Sequence, residues 1–173
     1  MSIAASDLEP TSYYLEDVNS LGTWQPAARP NDMFCTGSVP LRSRDAFRFS
    51  RKTAAKILVC HDMMGGYEQD ALIQGGTDAG AYHFWHWSLI DIFVYFSHKL
   101  VTIPPPCWTN AAHKHGVQVL GTFITEWDEG STICGEILRS MESVHLYAQQ
   151  LARICQFYRF DGWLVRATEA VHR

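Results

Sequence analysis

The chain has 173 residues, 47% of them hydrophobic and only 18% charged, against roughly 25% charged in an average soluble domain; that length suits one domain with a substantial core. Its net charge is -4, and its Lys and Arg residues are scattered except at Arg42, Arg44, Arg48, Arg51 and Lys52, which argues against a nucleic-acid-binding face. Five cysteines form no C-x-x-C pair, the start "MSIAASDLEP" lacks the basic and apolar regions of a secretory signal, and no apolar run is long enough to cross a bilayer; reduced thiols in the cytosol and no membrane are expected.

Residues 1–52, rich in Ser, Pro and Arg, read as an N-terminal extension that is mostly loop, with one short helix in "SYYLEDVNSLGTW" capped by Ser12 or Thr11 and the basic cluster as a solvated segment. Residues 53–165 have a different texture. "KILVCHDM", "DIFVYFSH", "VQVLGTFITEW" and "FDGWLV" are nearly continuous apolar runs, as strands covered on both faces should be. Between the second and third, "PPCWTNAAHKHG" predicts a helix opened by Thr109 or Asn110 and closed at Gly116, a residue suited to a left-handed C′ position. Between the third and fourth, Ile137, Met141, Val144, Ala148, Leu151, Ile154 and Tyr158 recur at steps of three and four, predicting an amphipathic helix broken near Ser140 to Ser143. Strands alternating with helices mean right-handed parallel crossovers and an α/β class.

In a parallel sheet the carboxyl ends of the strands share one edge, where α/β proteins bind ligands. These strands end in His61-Asp62, Ser97-His98 and Thr125-Glu126-Trp127. Trp127 offers a flat apolar ring with a polar handle, suited equally to the apolar face of a ligand or to packing; Glu126 could accept hydrogen bonds from a ligand's hydroxyls or cap a neighbouring loop. His61, Asp62 and His98 could orient a ligand or simply satisfy one another. Tyr82, Trp85 and Trp87 read as core. His113 and His115 lie two apart on a helix and point away from each other, so no metal site is expected, and Cys60 reads as core. Gly65-Gly66 lacks the spacing of a phosphate loop and reads as a plain turn.

"VCHDMMGGY", "DIFVYFSH", "VTIPPPCWTNAAHKHGVQVLGTFITEW" and "FDGW" together resemble the cytosolic endo-β-N-acetylglucosaminidases of glycoside hydrolase family 85, from about Ser12 to Val165. The resemblance implies the N-terminal half of a TIM (β/α)8 barrel, with about four parallel strands. It implies hydrolysis of the β-1,4 bond between the two core N-acetylglucosamines of N-glycans, on glycoproteins or free oligosaccharides, without a cofactor. The family's reaction is substrate-assisted: the 2-acetamido oxygen attacks the anomeric carbon, an Asn orients that acetamide, and a Glu two positions later is the general acid and then base. The family's fourth strand reads F-D-G-W-L-[IV]-N-[IV]-E, and residues two apart on a strand point the same way.

Here those two positions hold Arg166 and Thr168, and Glu169 would face the opposite side. The expectation is a chain without the catalytic pair and inactive alone, its divergent tail 166–173 reading as an alternative exon or a truncated gene model. Two other readings stand beside it. One is a non-catalytic glycan-binding or regulatory form, with a protein partner covering open barrel edges; the other is a product whose open sheet prevents stable folding.

Overall fold

The computed structural model describes residues 14–26, 35–44, 55–62, 80 and 82–167. Ser12, Thr11, Arg48, Arg51, Lys52, Gly65-Gly66, Thr168 and Glu169 lie outside the described residues.

Among the described residues, six strands form one mixed sheet, with helices packed on it. The four strands expected from the apolar runs are β2 (Leu58–Asp62), β3 (Ile92–Phe96), β5 (Gln118–Thr125) and β6 (Gly162–Ala167). They pair in parallel, β2 with β3, β3 with β5 and β5 with β6. Two strands escaped the sequence reading: β1 (Tyr14–Leu15) and β4 (Val101–Thr102), each antiparallel to its neighbour, with β4 lying along β5. Two residues are too few to show a period, so nothing in the sequence marks them.

Register separates the two faces. Val59, Phe93, Tyr95, Val119, Phe123 and Trp163 join the main core with residues of the helices. Val94, Phe96, Ile124, Ile92, Leu120 and Leu164 form a second cluster made of strand residues alone. Coverage on both faces holds for β3, where four of five residues are buried, but fails for β2 and β6, which are largely exposed or half-buried. Each of those two has a single sheet neighbour among the described residues.

The helices begin where backbone chemistry permits rather than where the expected caps stand. α1 (Val18–Gly22) is capped by Asp17, whose carboxylate accepts from the Ser20 amide at 2.8 Å. Bonds from the Ser20 hydroxyl and amide hold that carboxyl below its usual range. α2 (Pro106–Lys114) starts three residues before Thr109, because proline has no N–H to leave unpaired in a first turn. Asn110 therefore lies inside the helix rather than at its cap, and its Oδ1 accepts from the amides of Ser38 (2.7 Å) and Val39 (3.0 Å), fastening the strap 37–44 to α2.

Gly116 closes α2 at φ 69°, as expected, and a Cβ there would collide with the Arg44 side chain and lie 2.8 Å from the Arg42 carbonyl oxygen. The expected amphipathic helix is α4 (Met141–Tyr158), opened by a reciprocal cap of Ser140 and Ser143, while a separate helix not expected from the sequence, α3 (Trp127–Ile137), precedes it and begins at the residue expected to end the third strand. Arg44 corrects the solvated-segment reading: its guanidinium donates to the carbonyls of Ile90 and, at 2.9 Å, Trp87, and lies 3.5 Å from Asp91.

Candidate functional site

The carboxyl end of β5 turns directly into α3, and the turn is tight. A Cβ on Gly130 would lie 2.5 Å from the Thr125 carbonyl carbon, so only glycine lets the first helical turn sit on the strand end. Trp127, at the head of α3, is held at φ 60°, a left-handed conformation that L side chains rarely adopt, and is 69% exposed. Strain of this kind persists where the surroundings over-determine it; here the elbow lifts the indole out from the sheet end.

Glu126 has the opposite fate. Its side chain is only 7% exposed, and each oxygen faces a nitrogen of another side chain. Oε2 is 2.9 Å from His98 Nδ1, and Oε1 is 3.0 Å from Arg166 Nη1. The Arg166 contact is an ion pair without hydrogen-bond alignment, so the enclosed Oε1 has charge compensation but no aligned donor. The His98 ring also packs edge-on against Phe96, at 5.0 Å between centroids, and tilts against Trp127 at 5.6 Å. Beside these groups is a cavity of about 210 Å³ bordered by Glu126, Trp127, His98, Lys99 and Glu129. Lys99 is ion-paired with Glu16, which also borders it.

The structure thus brings together three sequence candidates, Glu126, Trp127 and His98, and adds Arg166. Arg166 sits opposite Ile124 in the register, on the face of the strand-only cluster. His61 is elsewhere: it is buried on the helix-covered face, stacked between Tyr82 (4.8 Å) and Phe93 (5.5 Å), with Trp108 alongside. Asp62, one residue on, pairs with Phe96 and is exposed on the opposite face of β2. Cys60 is exposed, not core; as an edge strand, β2 has nothing described on its far side to cover it. Of the aromatic trio, Trp87 is core, whereas Tyr82 and Trp85 are exposed. No group of three His, Cys, Asp or Glu side chains suited to a metal occurs among the described residues. None of their helices is long and apolar enough to cross a membrane.

Known proteins share this sequence and sheet. The chain is 49% identical over 164 residues to the cytosolic endo-beta-N-acetylglucosaminidase of Gallus gallus, covering 94% of this chain and 22% of the relative. It is 49% identical over 158 residues to that of Homo sapiens, covering 91% and 21%, and 60% identical over 110 residues to cytosolic endo-beta-N-acetylglucosaminidase 2 of Arabidopsis thaliana, covering 64% and 16%. The chain thus spans about a fifth of the length of these relatives. The crystal structure of the glycoside hydrolase domain of Endo-D from Streptococcus pneumoniae superposes with a TM-score of 0.74 at 25% identity, over 92% of this chain and 26% of that one. Residues 67–172 match glycosyl hydrolase family 85, and with relatives of this identity along nearly its whole length, the chain belongs to that family.

Proposed function

We propose that this chain supplies part of the catalytic barrel of a cytosolic endo-β-N-acetylglucosaminidase and that, alone, it binds N-glycan core sugars without cleaving them. In this reading β2, β3, β5 and β6 are four successive strands of a (β/α)8 barrel, residues 53–165 are the partial barrel, 1–52 its extension and 166–173 a divergent tail. A polypeptide laying strands along β2 and β6 would close the barrel. The names of the relatives support the substrate class and the compartment.

The observation that carries the reading is Arg166. It stands where the family resemblance implies an Asn, and its guanidinium is 3.0 Å from Glu126. Orienting an acetamide through its N–H requires an acceptor, and a guanidinium has only donors. Thr168 has no proton to give near neutral pH, and general acid–base assistance is typically worth about 10²–10⁴ in rate. What remains is a binding surface: an exposed indole beside a cavity bordered by Glu126, His98 and Glu129, which suits hydroxyl donors carried on an apolar sugar ring.

The test is titration of the purified chain with a chitobiose-core oligosaccharide, followed by tryptophan fluorescence and by mass spectrometry of the sugar. Saturable binding, lost in E126A, with the sugar intact is expected. Appearance of a single-GlcNAc product would overturn the claim of catalytic silence, and no saturable binding up to millimolar sugar would overturn the binding claim.

A further inference from the structure

At the other end of the sheet, a buried histidine is held between two acceptors. His113 lies in the last turn of α2 with its side chain 6% exposed. Its Nδ1 is 2.7 Å from the carbonyl oxygen of Val39 on the strap, and its Nε2 is 2.8 Å from Asp161 Oδ2, just ahead of β6. A carbonyl oxygen only accepts, and Asp161 Oδ2 already accepts the Val119 amide at 2.7 Å. Both ring nitrogens must therefore donate, and only the imidazolium has two N–H groups.

We propose that protonated His113 is a latch holding the strap 37–44 onto α2 and the amino end of the sheet, and that loss of its proton releases the strap at Val39. A neutral ring keeps one N–H. The bond to the carboxylate is the stronger of the two because it is charge-assisted, so the surviving proton stays on Nε2 and the Nδ1 lone pair turns on the Val39 carbonyl. A cavity of about 270 Å³, lined by Gly37, Val39, Pro40, His113 and Arg159, borders the latch and gives the strap and water room to rearrange. The neighbouring bonds are Gly37 N–H to Tyr158 O (3.0 Å), Arg159 Nη1 to Gly37 O (3.4 Å), Arg42 N–H to His113 O (3.1 Å) and the two amides on Asn110, with the Arg44 guanidinium anchoring the far end of the strap to Ile90 and Trp87.

Burial, the largest single influence on His113, opposes its charge; the bonds to Asp161 and Val39 and the Asp161 charge together outweigh it, and its pKa is raised. The charged or titratable groups that the surrounding elements bring near are Asp161, Arg159 at the end of α4, Arg42 and Arg44 on the strap, and Lys114 and His115 on α2. Cys155 on α4 faces Asp161, and burial with that carboxylate's charge pushes its thiol up to about 11, so it stays neutral through the His113 titration.

The experiment is nitrogen-15 NMR of the histidine rings of the unaltered chain across pH, with amide hydrogen exchange followed in parallel and corrected for its intrinsic pH dependence. Near neutrality His113 should show two protonated nitrogens. As it deprotonates, corrected exchange at Ser38, Val39 and Arg42 should rise by about tenfold, the equivalent of one lost hydrogen bond, with the same midpoint, while the amides of β5 stay unchanged. A neutral His113 ring at pH 6, or strap amides indifferent to its titration, would overturn the latch.

Discussion

Two histidine–carboxylate pairs sit at the two ends of β5, about 20 Å apart along the strand, and they differ in every respect but chemistry. His113, at the amino end, is buried, its partner Asp161 is partly exposed, and aligned hydrogen bonds tie both to the chain. His98 and Glu126, at the carboxyl end, combine an enclosed acid with a histidine whose side chain is 53% exposed, an unaligned arginine and a strained tryptophan. The first arrangement holds segments together. The second leaves an exposed aromatic face beside a cavity edged by acidic side chains, which is what a ligand site needs and a structural clamp does not.

Removing each acid should break this comparison open most widely. Asp161→Ala takes the carboxylate from a buried imidazolium and the acceptor from the Val119 amide, a loss of about 2 kcal/mol. Glu126→Ala leaves His98 and Arg166, both more than half exposed, free to turn to water, so its cost should stay below about 1 kcal/mol. Urea midpoints of the two variants measure the difference. Equal losses would mean that the carboxyl-end pair is also structural.

The pH dependence of stability sharpens the same contrast. Because the folded-state pKa of His113 lies above its ordinary 6.5, its contribution is complete below about pH 6.5 and fades as pH rises through the elevated folded value. At stake is one hydrogen bond, about 1 kcal/mol. Chemical denaturation from pH 6 upward should show stability falling in wild type and in His98→Gln, and the fall should be absent in His113→Gln. A slope that survives in His113→Gln must come from another group.

The sequence showed one end of the molecule better than the other. Apolar runs and polar strand ends located β2, β3, β5 and β6 and gathered Glu126, Trp127 and His98 at one rim, because a strand's direction fixes which end its last residues occupy. The face on which a residue lies was harder to read. His61 and Asp62 were bracketed together, yet alternation along β2 sends His61 under α2 and Asp62 to the other side. The His113–Asp161 pair was invisible because its members are 48 residues apart and belong to different elements. Helix spacing within α2 could exclude a His113–His115 site but could not reveal a partner arriving from β6. The Arg166–Glu126 ion pair escaped for a similar reason: the register Ile124↔Arg166 places the strand ends side by side, but no local pattern encodes it.

Trp127 offers the smallest effect and the most direct separation of stability from binding. Its indole is mostly in solvent, so truncating it forfeits little burial, whereas its φ of 60° costs a bulky residue on the order of 1 kcal/mol that glycine does not incur. Glycine's greater freedom in the unfolded chain offsets part of that gain. Trp127→Gly should therefore raise the unfolding free energy by about 0.5 kcal/mol while abolishing the fluorescence response and weakening chitobiose binding. If it instead destabilises the fold by more than about 1 kcal/mol, the indole is packing that the sheet end requires, and the strain at the elbow serves the core rather than a ligand.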